Sequence, residues 1–130
     1  MLIVHGPVTK QIFTTFMSNL ISFLGNTRAV FWIDNASIHN GAQTLIEGII
    51  HQLILNAPYS PDLNAIEVIW AILKRRVRLL NPQDLCSLEA AIIEVWNQLT
   101  LTTINNLIQS LPKRVAYVAA NGGLSCLGKF

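Results

Sequence analysis

The stretch Asn56–Trp70, NAPYSPDLNAIEVIW, sets a stiff polar turn directly in front of an apolar helical pattern. Pro58 and Pro61 fix their own φ and push Ala57 and Ser60 toward extended backbone, so APYSPDLN reads as a rigid loop that aims the next element. That element carries Ile66, Ile69, Trp70, Leu73 and Val77 at helical spacing, a long amphipathic helix that Asn81-Pro82 breaks. Asn64 is a good N-cap, and Glu67 three residues later completes the pattern of a capping box. That pattern accounts for the spacing of the two residues but not for the aromatic and double-proline lead-in.

Working upstream, QLIL reads as a short strand preceded by a helix from about Gly41 to His51. AVFWI, Ala29 to Ile33, is a continuous β-branched and aromatic run, the pattern of a strand buried on both faces, and it ends at Asp34. Ile12, Phe13, Phe16, Met17, Leu20, Ile21 and Leu24 recur as one face of a helix that Gly25-Asn26 stops, and MLIV at the start reads as another strand. Downstream, SLEAAIIEVWNQL and INNLIQSLPKRVAYVAANGG predict two or three further helices, the last closed by Gly122-Gly123. Strands alternating with helices imply an α/β fold. In such folds ligands gather at the carboxyl ends of strands, where Asp34 opens the segment DNASIH. Two acids, Asp34 and Glu67, presented by two rigid elements, suggest a metal site.

Composition limits the alternatives. A chain of 130 residues with 52% apolar content is long enough for one globular domain with its own core. The mean hydropathy is +0.44, yet Thr14, Thr15, Ser18, Asn19 and Ser22 interrupt the apolar stretches, so neither a membrane span nor a secretory leader is expected, and the location is cytoplasmic. Cys86 and Cys126 stand alone, without metal-ligand spacing, and read as unreactive thiols. Net charge is only +2, but four of the nine basic residues, Lys74, Arg75, Arg76 and Arg78, fall in KRRVR. Such a cluster is either a solvated face or a contact for the phosphate backbone of DNA. Trp32, Trp70 and Trp96 fit the buried faces of their elements better than a base-stacking role, and Asp62 reads as a turn former.

FWIDNASIH followed by APYSPDLNAIEVIWAILKRRVR resembles the catalytic domain of the mariner-type DDE transposases, in particular their bacterial insertion-sequence branch, and SLPKRVAYVAANGG is similar to that family's C-terminal end. The resemblance implies a ribonuclease-H-like fold with helices flanking a mixed sheet. It also implies three acids holding two Mg²⁺ (or Mn²⁺) ions for cleavage and transfer of DNA strands at transposon ends. On that pattern Asp34 is the second acid and Glu67 the third, with 32 residues between them. Asn35, His39 and Asn64 are possible auxiliaries, although turn and cap duties explain both asparagines as well.

Two departures stand out. Ala57 and Ala65 occupy positions that are proline in the family, which should only soften the helix start. The family's first acid lies on an earlier strand, and residues 1–33 contain no Asp or Glu. The expectation is therefore a single partial catalytic domain over residues 1–130, truncated at the N-terminus with its first strands missing. It should bind metal weakly or not at all alone, and be inactive alone. The exposed sheet edge beside MLIV predicts association, as a homo-oligomer or with the N-terminal half of a split transposase. The alternative is a non-catalytic remnant that binds DNA or another protein.

Overall fold

A computed structural model describes residues 2–40, 45–46, 52–126 and 129. The chain divides into two compact units, residues 1–59 and 60–130.

In the first unit, helix α1 (Lys10–Leu24) begins where the Thr9 hydroxyl accepts from the backbone N–H of Ile12, and it ends at Gly25, whose φ of +54° suits a residue without Cβ. Strands β1 (Val30–Ile33) and β2 (Gln52–Leu55) pair in parallel, with Phe31 opposite Leu53 and Trp32 opposite Ile54. Met17 of α1 packs with Phe31 and Ile46, and Phe13, Leu20, Leu24 and Leu53 close around them.

The structure revises several expectations. The sheet among the described residues is two parallel strands rather than a mixed sheet. β1 is covered on one face only: Phe31 is buried, while Val30 and Trp32 on the other face are exposed. A side-chain period of two sends neighbours to opposite faces, and the core cluster takes only the Phe31 and Leu53 side. Leu2–Val4 forms no strand, having no ladder to join among the described residues. Of the helix expected over 41–51, Leu45 and Ile46 are helical and the remainder lies outside the described residues.

The second unit opens with a short 3₁₀ turn, Pro61–Leu63, that runs into helix α2 (Ala65–Leu79). Asn64 caps α2 as expected, but its side chain accepts from Ile66 N–H at 3.3 Å, and Glu67 makes no reciprocal bond to it among the described residues. The capping box predicted there is found instead one helix later. Asp84 and Ser87 satisfy each other's backbone N–H at the start of helix α3 (Leu85–Asn97). Helix α4 (Leu101–Ala120) carries through Pro112, so among the described residues two helices follow α2, and Gly122 and Gly123, both at positive φ, close the last as predicted.

The core of this unit is the seam of α2 and α3: Leu73, Val77, Ala91 and Val95, flanked by Leu88, Ile92 and Trp96. Trp70, expected inside, is 38% exposed on the flank of that seam. No helix among the described residues is long and apolar enough to cross a membrane.

Leu73→Ala should leave a cavity in this seam and cost about 3 kcal/mol. Leu79→Ala, at a position 78% exposed, should cost less than about 0.5 kcal/mol. Urea unfolding of the two variants checks this, and equal losses would mean that α2 does not pack through the Leu73 face.

Candidate functional site

Asp34 follows the last residue of β1, and the structure ties down the backbone on either side of it. Asn56, buried just beyond β2, donates its N–H to the Ile33 carbonyl at 2.8 Å and accepts from Asn35 Nδ2 at 2.6 Å on its own carbonyl. Its side-chain oxygen accepts from Trp32 Nε1 at 3.2 Å. Residues 32, 33 and 35 are thus all anchored on one asparagine, and the Asp34 carboxylate projects from a fixed strand end.

The carboxylate folds back on the turn beyond it. Its Oδ1 accepts from Ala36 N–H at 3.0 Å, and His39 Nδ1 lies 2.6 Å from the same oxygen. The same nitrogen is 3.3 Å from the Asp34 main-chain carbonyl, which can only accept, so Nδ1 is the donor. Phe13 of α1 lies against the imidazole with ring centroids 4.4 Å apart. Asp34 Oδ2 makes no hydrogen bond among the described residues, and the side chain is 45% exposed.

Glu67 occupies the first turn of α2 and is exposed. At 3.6 residues per turn, Glu67, Ala71, Lys74 and Arg78 fall on one stripe, Arg75 lies beside it and Arg76 on the far flank of the core. All four cations are exposed, and none joins a salt bridge among the described residues. KRRVR is therefore not one uniform face: Lys74 and Arg78 extend the line that starts at Glu67, about 16 Å along the helix axis.

Both acids offer hard carboxylate oxygens to solvent, the donor type that Mg²⁺ and Mn²⁺ take. Asp34 belongs to the first unit and Glu67 to the second, and among the described residues no three His, Cys, Asp or Glu side chains cluster as a ready metal site. Of the auxiliaries, His39 contacts Asp34 directly. Asn35 spends its amide nitrogen on Asn56, and Asn64 is the buried cap of α2.

The residue that sequence reasoning undervalues is Asp62. It is buried, and its Oδ2 accepts from the backbone N–H of Cys126 at 2.8 Å and the hydroxyl of Ser125 at 3.0 Å. Its carbonyl accepts from Arg114 Nη1 at 3.1 Å, and Arg114 Nε in turn donates to Ser110. The bond from Cys126 N–H, helped by Ser125, holds the Asp62 carboxyl below its ordinary value despite burial, and burial pushes the Cys126 thiol up. A signal for this network is present in the sequence: Leu107, Leu111, Arg114 and Val118 lie on one stripe, which puts an arginine at a core-facing position.

Comparison with known proteins places the site in context. Residues 1–89, which include both acids, match the family described as DDE superfamily endonuclease. The Tc1 transposase of Caenorhabditis elegans is 34% identical over 74 residues, 55% of this chain and 27% of that protein. The Tc3 transposase of the same organism is 31% identical over 97 residues, 72% of this chain and 30% of that protein. The Tcb1 transposase of Caenorhabditis briggsae is 33% identical over 64 residues, 48% of this chain and 23% of that protein. The chain thus spans under a third of the length of these relatives. No solved structure matches it.

Removing the Asp62 carboxylate should strand the Cys126 N–H, so Asp62→Ala should cost about 2 kcal/mol in urea unfolding at neutral pH. Because the folded value is lowered, the stabilising charge is fully present above the ordinary value of 3.8 and fades as pH falls through the lower folded one. The stability gap between the natural chain and Asp62→Asn should accordingly shrink below about pH 4. A gap that stays constant through the acid range would contradict this.

Proposed function

The chain belongs to the DDE superfamily endonuclease family, and from that premise we propose that it is the C-terminal portion of a transposase catalytic domain of ribonuclease-H-like type. In the intact enzyme such a domain cuts and joins DNA strands at transposon ends. The observation that carries the reading is the joint occurrence, within the family match, of Asp34 at the carboxyl end of β1 and Glu67 at the start of α2.

Asp34 and Glu67 would serve as the second and third acids and hold Mg²⁺ or Mn²⁺ through their carboxylate oxygens. Two such ions would activate the attacking water or 3′-hydroxyl and stabilise the leaving oxygen of the DNA backbone. The rest of the work falls to this chain. Asn56 and Asn35 fix the strand end that presents Asp34, and His39 and the Ala36 N–H orient its Oδ1, which would leave Oδ2 for a metal ion. Asn64 caps the helix that presents Glu67, and Lys74 and Arg78 on the same stripe would receive backbone phosphates.

With no acid in residues 1–33, this stretch does not supply the family's first ligand, and two carboxylates alone grip Mg²⁺ loosely. On this reading residues 1–130 form one partial catalytic domain, active when a strand bearing the first acid is supplied by a partner segment, and inert alone. The exposed cations of α2 favour a second reading, a non-catalytic remnant that binds DNA or another protein.

Two measurements on the isolated chain separate these ideas. A strand-cleavage assay with Mg²⁺ or Mn²⁺ should give no cutting above background; robust metal-dependent cutting would overturn the proposed inertness. Binding to random duplex should weaken steeply with salt, and replacing Lys74 or Arg78 with alanine should flatten the log–log slope by about 0.9 for each phosphate no longer neutralised. Binding that ignores both salt and these substitutions would defeat the DNA reading altogether, while binding untouched by metal would favour the remnant.

A further inference from the structure

Trp70 is out of place for a helix of this kind. The apolar residues around it on α2, Ile69, Leu73 and Val77, are each 6% exposed, yet the largest ring on the helix is 38% exposed. It is also held in position. The Trp96 ring, itself packed on the α2–α3 seam, lies with its centroid 6.4 Å from that of Trp70 and tilted by 37°, within the range of favourable aromatic pairs. The Trp70 indole is thus braced by Trp96 while part of its surface stays open to solvent.

Its neighbours indicate what it faces. Glu67 lies one turn before it and Lys74 one turn after, both exposed. Lys74 and, a turn further on, Arg78 supply positive charge on the adjoining stripe, with no carboxylate paired to them among the described residues. An apolar protein surface would not complement a rim of unpaired cations. An aromatic face next to a line of cations is the arrangement that binds a nucleic acid strand with its bases accessible, the cations tracking phosphates and the ring stacking on a base. A base inside an intact duplex has both faces covered by its neighbours, so the ring can stack only on an unpaired or terminal nucleotide.

We propose that Trp70 is a stacking platform for an unpaired DNA base, seated between the acid Glu67 and the phosphate-binding Lys74 on one helix. The inference rests on the reading of α2 as a DNA-contacting helix, and adds that the strand there carries an exposed base.

The test uses the full chain and two fluorescently labelled DNAs: a blunt duplex and the same duplex with a short single-stranded thymine overhang. The natural chain should prefer the overhang. Trp70→Leu should lose about tenfold in affinity for the overhang and stay within about twofold for the blunt duplex, whereas Trp70→Phe should retain most of the preference. Independently of any variant's folding, 5-iodouracil placed in the overhang should photo-cross-link the natural chain at Trp70. Equal affinities of Trp70→Leu and the natural chain for overhang DNA, or a cross-link only at other residues, would overturn the proposal. If Lys74→Ala weakens binding to both DNAs while Trp70→Leu weakens neither, the stacking role falls and the DNA reading stands. If neither the natural chain nor any variant binds either DNA, both fall.

Discussion

The buried carboxylate of Asp62 is the constraint on which the geometry of the second unit depends. A charge out of water is tolerable only when donors surround it, and here they come from a distant part of the sequence: the Cys126 N–H and the Ser125 hydroxyl on the side chain, and the Arg114 guanidinium on the carbonyl. The 3₁₀ turn that carries Asp62 is thereby pinned to the end of the chain, and the buried cap Asn64 comes directly after it. The direction in which α2 leaves the turn, and with it the position of Glu67, is set by a network that includes neither Glu67 nor any cation of the basic cluster.

The first unit solves the same problem with a neutral group. Asn56 collects a main-chain carbonyl, an amide and an indole N–H from residues flanking Asp34, which fixes the strand end without engaging the Asp34 carboxylate itself. In both units a buried polar residue within the stretch Asn56–Asn64 supports a solvent-accessible acid, half-buried Asp34 in the first and exposed Glu67 in the second.

Much of this is legible from the residues alone. The helical spacing of Ile12 to Leu24 and of Ile66 to Val77, the glycine stops at Gly25 and Gly122, and the cap at Asn64 all obey local rules and appear as read. The features that escape depend on partners far along the chain. Nothing within ten residues of Asp62 reveals that Ser125 and Cys126 will donate to it, so it reads as a mere turn former. The run AVFWI looks doubly buried because composition reports what a strand could bury, and only the packing of α1 on one side decides which face is covered. The exposure of Trp70 has the same origin, since the α2–α3 seam is filled by Leu73, Val77, Ala91 and Val95 without it. The capping box falls at the second of two sites with similar spacing, because serine at Ser87 returns the bond to Asp84 that Glu67 does not return to Asn64.

The proposed role of Asp34 and Glu67 as ligands of a divalent ion is tested most directly by nuclear magnetic resonance with Mn²⁺ added in small amounts, which registers weak binding. Paramagnetic broadening should appear at the backbone amides around both residues 34 and 67, and either Asp34→Asn or Glu67→Gln should remove it at both places. Broadening at residue 34 that persists unchanged in Glu67→Gln, or that never reaches residue 67, would contradict a shared site.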